Sequence, residues 1–355
     1  MPMIRENIAK LVDGIDLSSE ESEVAMKEIM TGNATNAQIA AFLTALRLKG
    51  ETVEELTAFA KVMRENCCLI HPRVNDRLVD TCGTGGDKVK TFNISTAAAF
   101  VVAGAGVAIA KHGNRSVTSR SGSADVLEHL GVNLNMEPKT VENTIEQMGI
   151  GFMFAPAFHP AMKYAVSPRK EMGIRTVFNL LGPLTNPACA NAQLLGVYNS
   201  KLTVPLAHAL KSLGCEEAMV VHGLDGLDEI STVGKTVISH LKKGDVTTTE
   251  TEPKDFGVKQ ASIDALKGGT PEENAEILFK ILSGNNAEVD PKTEIVLVNA
   301  AAGIIVGREA DDFSSGMEAA RKSIRSGAAY KKLKIIVSVS GGDLSRLEEL
   351  EIKYA

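Results

Sequence analysis

Three groups of side chains in this chain are of types that could do chemistry together. A glycine turn, Gly83-Thr84-Gly85-Gly86-Asp87, is followed by Thr91 and by Asn93-Ile94-Ser95-Thr96. A second run holds Lys111, His112, Gly113, Asn114 and Arg115, then Ser116, Thr118, Ser119, Ser121 and Ser123. Further on, Asp228 and Glu229 stand side by side after Gly223 and Gly226. Glycines permit turns that a Cβ would block and let main-chain amides come close to an anion. Lysine supplies a point charge for a phosphate, arginine a planar fork, and the hydroxyls further donors. Either loop alone is a weak signal: G-T-G-G occurs in many turns, and K-H-G-N-R could be a solvated loop. Two donor-rich loops on one strand–helix–strand unit point to a polyphosphate site. It is not a P-loop, because G-x-x-x-x-G-K-[ST] is missing, and G-x-G-x-x-G is not met here either. Adjacent acids on a loop are by themselves usually just solvated.

The elements that must position these groups follow from the pattern. Leu78, Val79 and Asp80 end a buried strand. Ser95 or Thr96 caps a helix over Ala97 to Ala103, whose positive end faces the glycine turn. Gly104 and Gly106 stop it, and Val107 to Ala110 form the next strand. Both polar loops then leave the carboxyl ends of neighbouring parallel strands, where open α/β sheets bind ligands. Downstream, Phe152–Phe154, Leu194–Tyr198 and Ala218–Val221 read as strands, and Pro138 to Met148 and Val204 to Leu213 as helices. This alternation predicts an α/β fold with a mostly parallel central sheet flanked by helices. His159 to Met172 reads as helix broken only by Pro168, and Asn179 to Pro187 as a loop. Residues 236–256 form an extended, edge-like excursion, and Ile295 to Ile305 a buried helix. Leu333, Ile335, Val337 and Val339 alternate like a strand.

Before residue 72 only helical patterns occur. Ile4, Ile8, Leu11 and Val12 share a face, Ser18 with Glu21 and Thr52 with Glu55 have capping-box spacing, and Thr35 precedes a third helix ended by Gly50. Residues 1–72 are thus a small all-α domain and residues 73–355 a large α/β domain.

Composition excludes several classes. The net charge of −6 and the absence of tryptophan argue against a nucleic-acid scaffold with a basic field or stacking platform. No apolar run reaches membrane-spanning length. Five cysteines without C-x-x-C suit free thiols in a reducing compartment, and the N-terminus is not a secretory signal, so a cytoplasmic protein is expected.

The chain closely resembles the anthranilate phosphoribosyltransferases. The matching words are G-T-G-G-D at 83–87, N-I-S-T at 93–96, K-H-G-N-R at 111–115, G-S-A-D at 122–125, H-P-A-M-K at 159–163, R-K-E-M-G-I-R-T at 169–176, F-N-L-L-G-P-L-T-N-P at 178–187 and D-E at 228–229. They stand in the family's order over nearly the whole chain. The resemblance implies a nucleoside phosphorylase-like phosphoribosyltransferase fold, with part of residues 160–185 joining the helical domain. It implies transfer of the phosphoribosyl group of 5-phosphoribosyl 1-pyrophosphate to the amine of anthranilate, the second step of tryptophan biosynthesis. The donor would be bound by Gly83, Gly86, Asp87, Thr91, Asn93 to Thr96, Lys111 to Ser116, Ser119 and Ser123. Anthranilate would be bound by Gly83, Asn114, Arg169 and His159, the guanidinium of Arg169 meeting the planar carboxylate. Magnesium would be held by Ser95, Asp228 and Glu229; it needs few carboxylates, keeps several waters and lets substrate phosphates complete its shell. No single acid or base is assigned. The family is homodimeric through the helical domain, and an association with an amidotransferase subunit of anthranilate synthase stays open.

Two other functions compete. A pyrimidine nucleoside phosphorylase would share the architecture, but K-H-G-N-R with a later Arg169 favours an aromatic acid as acceptor. A relative that has lost catalysis and binds nucleic acid would need a basic surface and could dispense with Asp228 and Glu229.

Overall fold

Four helices open the chain, Ile4–Val12, Ser19–Met30, Asn36–Lys49 and Val53–Glu65. The last three begin with capping boxes, Ser18 with Glu21, Thr35 with Gln38 and Thr52 with Glu55, each satisfying two otherwise orphaned amides. Their apolar faces bury Met26, Ile29, Phe42, Leu46 and Phe59 in one core. Val12 is not on the buried face of its helix: it is 71% exposed. The computed structural model describes residues 3–85, 89–116, 121–285 and 290–354.

Seven strands form one sheet in the order β3-β2-β1-β4-β5-β6-β7. They are β1 (Leu78–Gly83), β2 (Ala108–Gly113), β3 (Ile150–Phe154), β4 (Ala192–Gly196), β5 (Glu217–Gly223), β6 (Thr236–Lys242) and β7 (Asp245–Thr251). Strands β1 to β5 pair in parallel, and β6 and β7 add an antiparallel hairpin at one edge. The threonine-rich 247–249 stretch lies on that outermost strand, as its extended pattern implies. The helix Pro291–Val306 is buried nearly throughout and packs on the helix Ile94–Gly104 over one face of the sheet.

Several boundaries differ from the sequence reading. β2 runs on through Lys111, His112 and Gly113, which pair with Phe152, Met153 and Phe154, so these residues sit in the sheet and not in a loop. The 333–339 stretch is helix, Ala328–Val339, because Leu333, Ile336 and Val337 also fit helical spacing and bury against the core. Phe178–Leu184 is helix despite Pro183; burial of Phe178, Leu181 and Leu184 outweighs the lost hydrogen bond. Pro168 does not break its helix, Lys163–Met172. The break falls earlier, at His159, which Pro160 forces out of helical geometry to φ −119° and ψ 65°.

The helical and sheet parts meet along a seam. The helix Lys163–Met172 packs on Asn36–Lys49, and Gly32 leaves room for the ring of Tyr164. Arg64 reaches across to donate to the carbonyls of Leu184, at 2.9 Å, and Leu213, at 3.3 Å. The core of the N-terminal helices continues through Ala165, Phe178 and Leu181 to Leu206 and Val220.

Candidate active site

The carboxyl ends of β1 and β2, the first turn of the helix Ile94–Gly104 and the segment after β5 border a cleft of about 330 Å³. Its floor depends on two close approaches. A Cβ on Gly196 would stand 1.6 Å from the carbonyl oxygen of Asp228, and one on Gly83 would stand 2.9 Å from the Asp228 carboxylate. The segment carrying Asp228 and Glu229 therefore lies directly on the ends of β1 and β4. Glu229 is buried, and its Oε1 accepts from the amide of Ser95 at 3.1 Å. This contact joins residues that are 134 positions apart in the chain.

The helix behind the glycine turn begins at Ile94, with Asn93 as its cap residue, so neither Ser95 nor Thr96 caps it. Asn93 makes no side-chain cap bond. Its amide instead donates to the carbonyl of Ser121 at 3.2 Å and accepts from Asn274 at 3.1 Å. The first turn of this helix lines the cleft together with Gly83, Thr84, Gly85 and Thr91.

After β2 the described ends of the second loop, Asn114 to Ser116 and Ser121 to Ser123, meet. Asn114 takes the amide of Ala124 on its carbonyl at 3.2 Å, and the Ser123 hydroxyl donates to the same oxygen at 3.4 Å. Gly122 is tight there: a Cβ would meet the Ser116 nitrogen at 2.4 Å. Arg115 is exposed and makes a forked pair with Glu128, with both contacts at 2.8 Å, plus one to Asp125 at 3.0 Å. Its guanidinium is thus already paired with acids. Lys111 is buried at the cleft floor, and burial pushes its pKa down while Asp80 opposes that.

Arg169, Phe178 and Asn179 border the cleft from helices that pack on the N-terminal bundle and not from the sheet. Arg169 is half-buried with its guanidinium 5.1 Å from the centre of the Phe178 ring, and it has no acidic partner among the described residues. Burial pushes its pKa down, so an incoming anion would be favoured there. His112 lines the cleft; His159 does not, but lies behind it, with ring centres 5.0 Å apart. Burial depresses both imidazoles, to about 3 for His112 and about 4 for His159, so both are neutral at pH 7. Burial likewise pushes the Cys82 thiol well up, which fits an inert side chain and not a nucleophile.

Of the residues expected at the site, Gly83, Thr91, Asn93, Ile94, Ser95, Thr96, Lys111 to Ser116, Ser123, Arg169, Asp228 and Glu229 all border this cleft. Gly86, Asp87 and Ser119 lie outside the described residues. Phe178, Asn179, Gly182 and Pro183 border it too, although the residue pattern gives Asn179 to Pro187 only as a loop and assigns none of them to the site. The only signal for them was their place in the F-N-L-L-G-P-L-T-N-P word.

A mostly parallel sheet thus carries a phosphate-type wall, and an arginine with no acidic partner among the described residues borders the same cleft, an arrangement that suits group transfer between an anionic donor and an anionic acceptor. Residues 75–330 match the α/β domain of a glycosyl transferase family, and residues 5–67 match that family's helical bundle domain. Within it the chain belongs to the anthranilate phosphoribosyltransferases. It is 54% identical over 340 residues to the anthranilate phosphoribosyltransferase of Methanocorpusculum labreanum, covering 96% of this chain and 99% of that one. The crystal structure of the anthranilate phosphoribosyltransferase from Thermus thermophilus superposes with a TM-score of 0.88 at 40% identity, covering 96% and 99% of the two chains. The Saccharomyces cerevisiae enzyme in complex with PRPP and Mg matches at 0.87 and 31%, covering 95% and 98%.

Proposed function

We infer that the chain transfers the phosphoribosyl group of 5-phosphoribosyl 1-pyrophosphate to the amine of anthranilate, giving N-(5-phosphoribosyl)anthranilate and pyrophosphate in tryptophan biosynthesis. The observation that carries the reading is the cleft's two-sidedness. Glycine turn, helix N-terminus, lysine and hydroxyls form one wall, and an arginine without an acidic partner among the described residues forms the other. The first wall suits a diphosphate and the second a small planar carboxylate.

In this reading Gly83 to Gly85, Asn93 to Thr96 and Lys111 hold the phosphates, and Ser116 and Ser123 add hydroxyl donors. Arg169 holds the acceptor carboxylate, with Asn114 and the Gly83 backbone nearby. The acceptor amine is thereby aimed at C1 of the ribose. The transition state is oxocarbenium-like, so positioning and electrostatics matter more than any nucleophilic side chain. The carboxylates of Asp228 and Glu229 with the Ser95 hydroxyl form a hard-oxygen donor set at the cleft floor, which fits Mg²⁺. That ion would neutralise the leaving diphosphate. His159, lying behind His112, acts by packing and not by contact with the acceptor.

We also propose a cytoplasmic homodimer. The support is the likeness to the family; Leu48 on the helix Asn36–Lys49, 83% exposed, with Val12 on the first helix and Ile15 just after it, offers apolar surface for such a contact. Neither a pyrimidine phosphorylase nor a nucleic-acid-binding relative is favoured by the likenesses above. The deciding experiment is loss of anthranilate fluorescence on adding phosphoribosyl pyrophosphate and Mg²⁺. No loss with folded protein would overturn the assignment, and release of free nucleobase from a pyrimidine nucleoside in inorganic phosphate would favour the phosphorylase.

A further inference from the structure

The two central strands β1 and β2 pair only at Leu78 with Ala108 and Val79 with Ile109. Beyond that point they part, although β1 stays paired with β4 as far as Gly83 and β2 with β3 as far as Gly113. Main-chain groups left by the split must find other partners. Side chains supply them. The amide of His112 donates to Asp80 Oδ1 at 3.3 Å, and the carbonyl of Thr81 accepts from the Lys111 ammonium. Asn186 completes the arrangement, its amide donating both to Asp80 Oδ2 and to the carbonyl of Ala110, each at 2.8 Å. Asp80 thus grips β2 directly at residue 112 and through Asn186 at residue 110, on both sides of Lys111. Asp80 is fully buried and Lys111 is 4% exposed. An isolated buried charge of either sign would be costly: burial pushes the Asp80 carboxyl up and the Lys111 ammonium down, and each charge opposes the other's shift.

We propose that Asp80 is a positioning residue for the phosphoribosyl donor, fixing the Lys111 ammonium charged and in place at the split between β1 and β2. Asp80 does not touch the donor; it acts through Lys111. This rests on the reading of Lys111 as a phosphate-binding group. The other titratable groups facing Lys111 are Cys82, on β1, and Glu229, after β5, with His112 beside it on its own strand. Cys82 and His112 are held neutral by burial, which leaves Asp80 and Glu229 as the acids around the ammonium.

The test is kinetic, on the full chain, with donor and anthranilate varied separately at several pH values. Asp80→Asn keeps the shape and removes the charge. It is expected to lower kcat/KM for the donor at least about tenfold at pH 8 and to move the alkaline limb of that profile down by about one to three pH units, the usual effect of losing one nearby opposite charge. Lys111→Met alone should raise the donor KM at least about tenfold, as expected for a lost charged contact. In the Lys111→Met background, Asp80→Asn should cost less than about twofold, because no ammonium is left to hold. Removing both charges also keeps the buried site neutral, so the double variant is the one best able to fold. An Asp80→Asn enzyme with the ordinary donor profile would overturn the proposal. So would an equal loss in both backgrounds, which would make Asp80 a merely structural residue. An unchanged donor KM in Lys111→Met would remove the donor reading of Lys111 itself, and the proposal with it.

Discussion

Gly196 offers a perturbation whose size can be worked from geometry. It lies at the end of β4, without a positive φ, so alanine is acceptable to its backbone. The obstacle is the neighbour. An added Cβ would stand 1.6 Å from the carbonyl oxygen of Asp228, and crowding is relieved only near 3.4 Å, so the segment must retreat by about 1.8 Å (3.4 less 1.6). The obstructing atom is backbone and cannot rotate aside. Asp228 and Glu229 move with it, and Glu229 leaves the Ser95 amide. A misplacement of about 1 Å at a reacting centre costs roughly a hundredfold in rate, equivalent to about 2.7 kcal/mol. Gly196→Ala is therefore expected to lose at least that factor in kcat and to need far more Mg²⁺ for half-activation. The anthranilate affinity should stay close to the starting value, since Arg169 is on the other wall. The assay is fluorescence loss of anthranilate across a Mg²⁺ titration, with circular dichroism to establish folding. Gly83→Ala is the graded control, because its Cβ would meet the mobile end of the Asp228 side chain at 2.9 Å. A Gly196→Ala enzyme with ordinary kcat and ordinary Mg²⁺ dependence would refute the placement of these acids.

Other outcomes follow from the same geometry. Arg169→Ala should raise the anthranilate KM by about one to two decades, the worth of a charge-assisted contact in a partly dry site, and leave the donor KM alone; Arg169→Lys should recover only part, and an unchanged anthranilate KM would remove the acceptor site. Replacing Asp228 and Glu229 together by Asn and Gln should abolish Mg²⁺ stimulation, which full activity in the double variant would contradict. His159 is buried with its pKa depressed to about 4, so the folded state binds fewer protons than the unfolded one below pH 6.5. Its stabilisation is complete above that value and is lost as pH falls toward 4, by on the order of 2–3 kcal/mol; His159→Phe should flatten the acid side of the melting-temperature profile, read by calorimetry. Thr52→Ala removes a capping box on Val53–Glu65 and should cost about 1 kcal/mol in urea unfolding, with no change in donor or acceptor KM.

The sequence carried the polar apparatus more reliably than the element boundaries. The glycine turn, the N-I-S-T word and the D-E pair are short runs whose residue types have few other uses, and their described residues border one cleft. Two capping boxes, Ser18 with Glu21 and Thr52 with Glu55, were legible by local chemistry alone, and Thr35 marked a helix start although its box with Gln38 shows only in the structure. What failed were the judgements in which tertiary burial overrides the local pattern. Pro168 and Pro183 look like breaks, yet both sit inside helices whose apolar faces have somewhere to go. Leu333 to Val339 satisfies period two and helical spacing at once, and packing on the helix Ile94–Gly104 decides between them. Lys111 reads as a loop residue because its neighbours are polar; its place in β2 depends on Phe152 in β3, 41 positions later, which no local pattern reveals.

The seam at Arg64 has a consequence for how the two substrates meet. The guanidinium proposed for the acceptor is carried by a helix packed on the N-terminal bundle, whereas the proposed donor wall belongs to the sheet. The span between amine and ribose carbon is then a property of how two bodies are joined, not of any one loop. Arg64, bonded to the carbonyl of Leu184, at the end of the helix that borders the cleft, and to that of Leu213, ties the bundle to both parts as the pivot pin of a pair of tongs fixes the closing of its tips. Loosening the pivot would leave each jaw able to hold its own substrate while the tips no longer met, so turnover would fall with both affinities intact.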